Sequence, residues 1–219
     1  MWLFGGGGGG GSHDSSFEEA SIGGGGGAGA CAYKIFTKAE LDALTGNPTI
    51  TIGAGGAGAN PSGGAGASGS DGTLSTYDDT GVGGGLDVDA GPGTGGGQAA
   101  GLSVPNAAAG NGRAVTENTG TVTLKFNGGP GDQGWGIGVS ALRSSNAQAA
   151  GGKGGNTPLG FGAGGRSKST GNSTAEGQDG QDGGGYGSGG SGSAQVYGTN
   201  ADGGDRADGY CMIKEYLAT

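Results

Sequence analysis

The chain opens Met1-Trp2-Leu3-Phe4 and passes at once into seven consecutive glycines, Gly5–Gly11. Three large apolar residues look like the start of something held still, and glycine is the residue least able to hold a backbone still. Fixing a glycine costs roughly 0.5–1 kcal/mol more than fixing an alanine. Either this run is a flexible linker, or it is an ordered segment in which any side chain would be an obstruction. Glycine runs recur at Gly23–Gly27, Gly53–Gly58, Gly63–Gly66, Gly83–Gly85, Gly95–Gly97, Gly151–Gly155, Gly162–Gly165 and Gly183–Gly190. A linker is usually one segment, so the recurrence argues for order.

Glycine accounts for 64 of the 219 residues, against roughly one in fourteen in an average protein. Charged residues are 13 %, about half the usual share, and the balance of 10 Lys+Arg against 19 Asp+Glu gives a net charge of −9. That charge argues against nucleic acid, whose binding is driven largely by Lys and Arg releasing counterions. No stretch approaches the roughly 18 apolar residues of a membrane helix, which speaks against membrane insertion. Met1–Phe4 lacks the charged start of a secretory signal. The length suits a single domain over residues 1–219.

Several ordered glycine-rich states fail on spacing. Collagen needs glycine at every third position with proline between, and the six prolines here are scattered. Silk-like alternation appears only in pieces such as Gly134–Val139. The nine-residue repeat of calcium-binding β-rolls is hinted at once, in "QDGQDGGGYG" at 178–187. What remains is polyproline-II geometry adopted by glycine itself, with three residues per turn and no hydrogen bonds within one helix. Its polar groups point outward and need partners elsewhere. Rods packed side by side supply them, provided Cβ atoms stay out of the way. Seven glycines span about 22 Å at that rise, enough for one interior rod.

Between the runs lie two kinds of island. Residues 2–4, 31–36, 49–53, 121–126 and 210–216 are rich in β-branched and aromatic residues and read as strands. Residues 2–4, 31–36, 49–53 and 210–216 are expected in one small antiparallel sheet that encloses the side-chain core. Thr37 and Glu40 form a capping box that starts a short helix over 37–45, stopped by Gly46 and Pro48. Leu41 and Leu44 are expected against the sheet, and Ile213 is expected inside it. The polar islands Ser12–Ser21, Asp71–Thr80, Asn106–Thr119, Ser140–Ala147, Arg166–Glu176 and Thr199–Asp208 lack a strand pattern and read as loops. The fold class is therefore mainly irregular/β: a bundle of polyglycine-II helices with a small antiparallel β-sheet and one short α-helix.

The order of these parts, with "GACAYK", "TITIGAGGAGA" at 49–59, "GGAGASGSDGTLSTY" and the closing "ADGYCMIKEY", resembles the glycine-rich domain of bacteriophage tail-fibre and related virion proteins. It is also similar to the polyglycine-II tail-fibre-tip adhesins of T-even-like phages, whose receptor-binding loops sit at one end of layered glycine helices. The likeness spans nearly the whole chain, strongest at 1–77 and 177–216 and weak across 100–176. It departs from those adhesins at the start, where the glycine domain begins without an attachment domain before it. The resemblance implies a virion location and two kinds of partner: other virion proteins, and a host surface receptor, either an outer-membrane protein or a glycan. Oligomerisation is left open.

Chemistry is sparse. His13 stands beside Asp14 in a polar loop, and no Gly-x4-Gly-Lys-Ser/Thr occurs. Two cysteines and one histidine do not make an ordinary zinc site. Asp78, Asp79, Asp87, Asp89, Asp179 and Asp182 read as turn formers rather than calcium ligands. No cofactor, metal or catalytic residue is expected, and the chain is not read as an enzyme. Cys31 and Cys211 fall in strands and are expected as free thiols. Function is expected in loops at one end, above all Ser140–Ala147 and Asn156–Glu176. These bring Arg143, Arg166 and Lys168, with Lys153 nearby, into an acidic chain, a local basic patch suited to lipopolysaccharide phosphates. Phe161 and Trp135 are the aromatic anchors, and Tyr186 and Tyr197 are likewise flanked by glycine or small residues and expected to project from turns, since exposed rings carry binding energy and stack on sugars. A purely structural virion part and a cellular glycine-rich surface protein are the alternatives.

Overall fold

The structure, a computed structural model, describes residues 1–12, 20–44, 46–61, 66–79, 87–99, 106–117, 122–137, 148–160, 162, 165, 167–169, 176–196 and 200–216. Within these, the chain is mostly short strands and extended glycine segments, with a single helix, Lys38–Asp42. The strands form four antiparallel sheets of four strands each.

The first sheet runs Leu124–Phe126, Cys31–Tyr33, Trp2–Phe4, Tyr210–Met212. The second runs Thr49–Thr51, Ser75–Asp78, Val88–Ala90, Val115–Glu117. These two face each other over a core containing Leu3, Ala30, Ala32, Tyr77, Val88, Ala90 and Val115. The third runs Glu176–Gln178, Ala194–Val196, Ala20–Gly23, Gln98–Ala99, and the fourth runs Ser167–Ser169, Gln148–Ala150, Gly134–Ile137, Asn106–Ala107. They face each other over Ile22, Ala107, Ala149, Ala194 and Val196. Strands this short bury too little to stand alone. Each sandwich therefore depends on the segments that tie it to the other.

Those segments are the glycine runs. Gly5–Gly11 leads out of the first sheet, residues 24–30 join the third sheet to the first, residues 91–97 the second to the third, and residues 127–133 the first to the fourth. Around Gly5–Gly11 the hydrogen bonds recur every third residue. Gly5, Gly8 and Gly11 donate to the carbonyls of Ala30, Gly27 and Gly24 at 3.0, 2.8 and 2.9 Å. Gly6 and Gly9 donate to Thr73 and Ser70, and Gly7 and Gly10 to Ala207 and Gly204. The carbonyls of the same run accept from Gly93 and Gly96, from Gly56 and Ala59, and from Gly190 and Ser193. The falling partner numbers make the three accepting neighbours antiparallel to the run, and the rising ones make the three donating neighbours parallel. Residues 23–30 repeat the arrangement, donating to segments 91–97, 129–132 and 187–193.

A backbone surrounded on six sides has no room for side chains. A Cβ built on Gly6, Gly8, Gly9, Gly10 or Gly11 would run into the carbonyls of Ala54, Thr94, Ala57, Ser191 and Gly97 respectively, far inside contact distance. The opening run is thus ordered, and glycine is required there by packing rather than by backbone conformation. Positive φ among the described residues is confined to the turn around Tyr186, at Gly185 (144°) and Gly187 (69°).

Several expectations need correction. Instead of one sheet there are four, and Thr49–Thr51 lies in the second sheet while 2–4, 31–33 and 210–212 share the first with 124–126. The strands are shorter than the apolar islands: Cys31–Tyr33, not 31–36, and Tyr210–Met212, not 210–216. The capping box of Thr37 and Glu40 is present, but the helix is five residues long and buries none of them. Leu41 is exposed and Leu44 half-buried, and neither belongs to the core. Ile213 is 63 % exposed, so it is no core residue. Four of the islands read as loops contain strand residues: Ala20–Ser21, Ser75–Asp78, Asn106–Ala107 with Val115–Glu117, and Ser167–Ser169 with Glu176. Thr76-Tyr77 and Val115-Thr116 carry a strand signal too short to stand out among polar neighbours, whereas Ala20–Ser21, Asn106–Ala107 and Ser167–Ser169 carry none.

Candidate functional site

At the end formed by the third and fourth sheets, the described residues border six connections: 13–19, 62–65, 100–105, 138–147, 170–175 and 197–199. Ser12 and Ala67, which pair as an isolated bridge, flank the first two. Ile137 pairs with Gln148 across the fourth sheet, and these residues bound the segment that contains Arg143. Trp135, two residues earlier, pairs with Ala150 and is 44 % exposed. Lys168 lies on the edge strand of the same sheet, in register with Ala149 and Gly136. The fourth sheet thus brings Trp135, Lys168 and the borders of the Arg143 segment to one end.

Arg143, Phe161 and Arg166 lie outside the described residues. The expectation that Asn156–Glu176 forms one loop is corrected. Thr157 donates its hydroxyl to the carbonyl of Tyr186 at 2.8 Å, and Tyr186 stacks on Tyr210 of the first sheet. Residues near 157 therefore sit at the first-sheet end, a bundle length away from Ser167–Ser169. Lys153 is exposed between the two ends, with its carbonyl accepting from Asp132. Of the four basic residues, Lys153 and Lys168 lie on different segments, and Arg143 and Arg166 lie outside the described residues.

The outer face of the first sheet carries a surface that residue-by-residue reading missed. Alternation along Trp2–Phe4 sends Leu3 into the core and turns Trp2 and Phe4 to the other side. Trp2 meets Tyr33 with ring centroids 4.5 Å apart, and lies 6.3 Å from Phe126 and 6.4 Å from Phe4 with planes inclined by 16° in both cases. Tyr186 and Tyr210 stack at 3.8 Å. Leu124 and Met212 flank the rings and are exposed. The signal was present in the register of four separate strands, which no local pattern displays.

Acidic residues serve the backbone. Asp205 and Asp208 accept the N–H groups of Gly58 and Gly55 through Oδ1 at 2.8 and 2.9 Å. Asp182 and Asp179 accept those of Asp205 and Asp202, both at 2.9 Å. The three-residue spacing matches the three-residue hydrogen-bond repeat, so carboxylates cap N–H groups where the bundle lacks a further neighbour. Asp179 and Asp182, read as turn formers, have this role instead. Burial, then repulsion from Asp179, raises the Asp202 carboxyl.

The described residues contain no group of His, Cys, Asp and Glu that could hold a metal ion, and no helix long and apolar enough to cross a membrane. Cys31 and Cys211 are free. Both strands pair with Trp2–Phe4 and so are separated by it, and Cys31 lies opposite Phe4 while Cys211 lies opposite Leu3. Burial pushes the Cys31 thiol up to about 12 and raises Cys211 as well. Neither thiol is primed as a nucleophile, which requires a lowered pKa.

The architecture is a pair of short antiparallel sandwiches at the two ends of a bundle of glycine segments. A family model for the glycine-rich domain matches residues 1–216, and the chain belongs to that family. No curated protein matches it.

Proposed function

We propose that the glycine segments are polyglycine-II rods in a hexagonal bundle, and that this bundle is a rigid, non-enzymatic scaffold of a bacteriophage virion fibre or surface appendage. The reading is supported by the three-residue hydrogen-bond repeat, which threefold rods require, and by the six neighbours of Gly5–Gly11. The scaffold presents its connections to a receptor on the bacterial surface, an outer-membrane protein or a glycan. The observation that carries this is that the described residues bordering six connections lie at one end, since loops on a rigid frame are where binding residues concentrate. Trp135 supplies an aromatic contact beside them, and Arg143 and Lys168 supply positive charge in a chain of net charge −9.

The test is adsorption of the labelled, full-length chain to host cells and to purified lipopolysaccharide. Trp135→Ala, Arg143→Ala and Lys168→Ala combined should abolish adsorption while leaving Tm unchanged. Undiminished adsorption by that folded variant removes the receptor role from this end. No adsorption by the unaltered chain to any host assigns it to structural parts of the virion.

A further inference from the structure

The two outer faces of the sandwich made by the first and second sheets are built differently. In the second sheet Ile50, Tyr77, Val88 and Ala90 face the core. The alternate positions Thr49, Thr51, Thr76, Asp78, Asp89 and Thr116 face outward, the usual alternation of a sheet with one face in water. In the first sheet the inward positions include Leu3 and Ala32. Register then sets Leu124, Tyr33, Trp2 and Met212 in one outward row, and Phe126, Cys31, Phe4 and Tyr210 in a second row nearer the bundle. All eight are apolar or aromatic, so this sheet has the composition of an interior on both faces.

The bundle supplies the reason. Segment 187–193 runs parallel to Gly5–Gly11, with Gly190 and Ser193 donating to the carbonyls of Gly8 and Gly11. Gly187 is therefore level with Gly5. Continued backward, this segment would lie along Trp2–Phe4, but the chain turns at Gly185 and Gly187, both at positive φ. The Tyr186 ring alone reaches the sheet from this turn, 3.8 Å from Tyr210 and 6.3 Å from Phe4. Phe4 and Cys31 in the nearer row are fully buried, while Leu124 and Met212 at the two ends of the outer row are exposed. The first sheet is thus a middle layer whose third layer ends in a shoulder, one row short.

We propose that a second copy supplies the missing layer. The outer faces of two first sheets pack on each other about a twofold axis that lies between them and runs across the strands. The shoulder selects this axis. An axis along the strands would point both bundles the same way and drive the two shoulders into one space, whereas an axis across them points the bundles in opposite directions. The tip of each copy then meets the shoulder of the other. Both are apolar, with Ile35 and Ile213 exposed at the tip and Tyr186 and Leu159 at the shoulder. Each such contact occurs twice, as a twofold interface requires. The axis also keeps each sheet edge on its own side, so Leu124 lies toward the partner's Leu124 and Met212 toward the partner's Met212.

Charge favours a copy as the occupant. None of the eight outward side chains is charged, so the face complements a surface like itself. The acidic residues behind the net charge of −9 lie elsewhere: Asp78 and Asp89 face out on the far side of the sandwich, and Asp179, Asp202 and Asp205 lie along the bundle. Screening over about 8–10 Å at physiological salt confines their repulsion. Four strands about 4.8 Å apart, each of three residues rising about 3.4 Å, make a face of about 10 by 19 Å. Such a contact falls below the about 1,200 Å² of stable complexes, so the dimer is weak. The residues bordering the six connections lie at the far ends of the pair, and the inference stands independently of the receptor reading.

Sedimentation equilibrium of the full chain between about 1 µM and 1 mM spans the affinities of a weak interface. A reversible monomer–dimer equilibrium is expected. Leu124→Glu and Met212→Glu each bring two like charges together across the axis and should each weaken the dimer by about tenfold or more. Thr51→Glu adds the same charge to the solvated outer face and should leave the dimer as it is. Tm at micromolar concentration should match wild type for all three, as the residues are exposed. Small-angle X-ray scattering should give the dimer a longest dimension well beyond the monomer's. A wild-type chain that stays monomeric throughout overturns the proposal and leaves the face to a different partner. So does a dimer indifferent to Leu124→Glu and Met212→Glu, one weakened equally by Thr51→Glu, or one no longer than the monomer.

Discussion

Gly72→Ala tests whether the bundle excludes side chains. Gly72 is buried and donates its N–H to the Gly93 carbonyl at 3.0 Å. A Cβ there would lie 2.5 Å from the Gly6 carbonyl oxygen and 2.6 Å from that of Gly7. Ordinary C···O contacts begin near 3.3 Å, so one segment must retreat by about 0.8 Å. Segment 5–11 cannot do so cheaply, because the same two oxygens accept from Gly93 and Gly56, each at 2.9 Å. Overpacking costs about 1–3 kcal/mol, and two weakened hydrogen bonds add about 0.5–1.5 kcal/mol each. Replacing glycine returns about 0.5–1 kcal/mol through the unfolded chain. The net loss is about 3 kcal/mol, or about 6–12 °C in Tm for a chain of this size. The comparison is Gly129→Ala, where the nearest atom is the Asn156 carbonyl oxygen at 3.0 Å, and where the change should stay within about 1 kcal/mol. Both are read by thermal and urea denaturation followed by circular dichroism. Equal Tm values for the two variants, or a Gly72→Ala chain as stable as wild type, would refute close packing around Gly5–Gly11.

Further outcomes follow from single side chains. Ser75 is fully buried, donating to the Phe4 carbonyl at 2.6 Å and accepting from Gly53 N–H at 2.8 Å, so Ser75→Ala should cost about 2–4 kcal/mol in urea denaturation. Leu3→Ala should cost about 2–5 kcal/mol by the same measurement, whereas Leu41→Ala, on the exposed helix, should stay within about 0.5 kcal/mol. Glu40 holds the Lys34 ammonium at 2.8 Å, and that hydrogen bond, followed by the Thr37 N–H, lowers its carboxyl below the ordinary 4.5. Its contribution is therefore present above pH 4.5 and lost as pH falls through the depressed value. In an acid titration Glu40→Gln should remove that part of the pH dependence. Cys31, raised to about 12 from 9.0, favours the folded state below pH 9 and loses that contribution progressively as pH rises toward 12. In native protein at pH 8 a thiol reagent should leave Cys31 unmodified, and in urea both cysteines should react.

Local chemistry made part of this protein legible from its sequence. The Thr37/Glu40 capping box announces its helix start because both partners lie within one turn. Trp2–Phe4, Cys31–Tyr33 and Tyr210–Met212 announce themselves by aromatic and other large apolar residues, and recurring glycine announces segments that tolerate no Cβ. Sheet membership was not legible, because a strand of three residues has many equivalent partners and its choice is made by where the glycine segments deliver it. Thr49–Thr51 looks like a neighbour of Cys31–Tyr33 in sequence, yet residues 53–59 and 67–73 carry it into the facing sheet. Strands such as Gln148–Ala150 and Ala194–Val196 have no signal of their own and exist because adjacent backbones already lie in hydrogen-bonding distance. The same holds for the aromatic face of the first sheet. The rings of Trp2, Tyr33, Phe126 and Tyr210 come from segments up to two hundred residues apart, and their shared face is a consequence of register. Composition could demand a side-chain-free interior, since 64 glycines have few other uses. Which glycine segment lies beside which is a question of long-range backbone partners, and glycine, having no side chain, carries no label that distinguishes one neighbour from another.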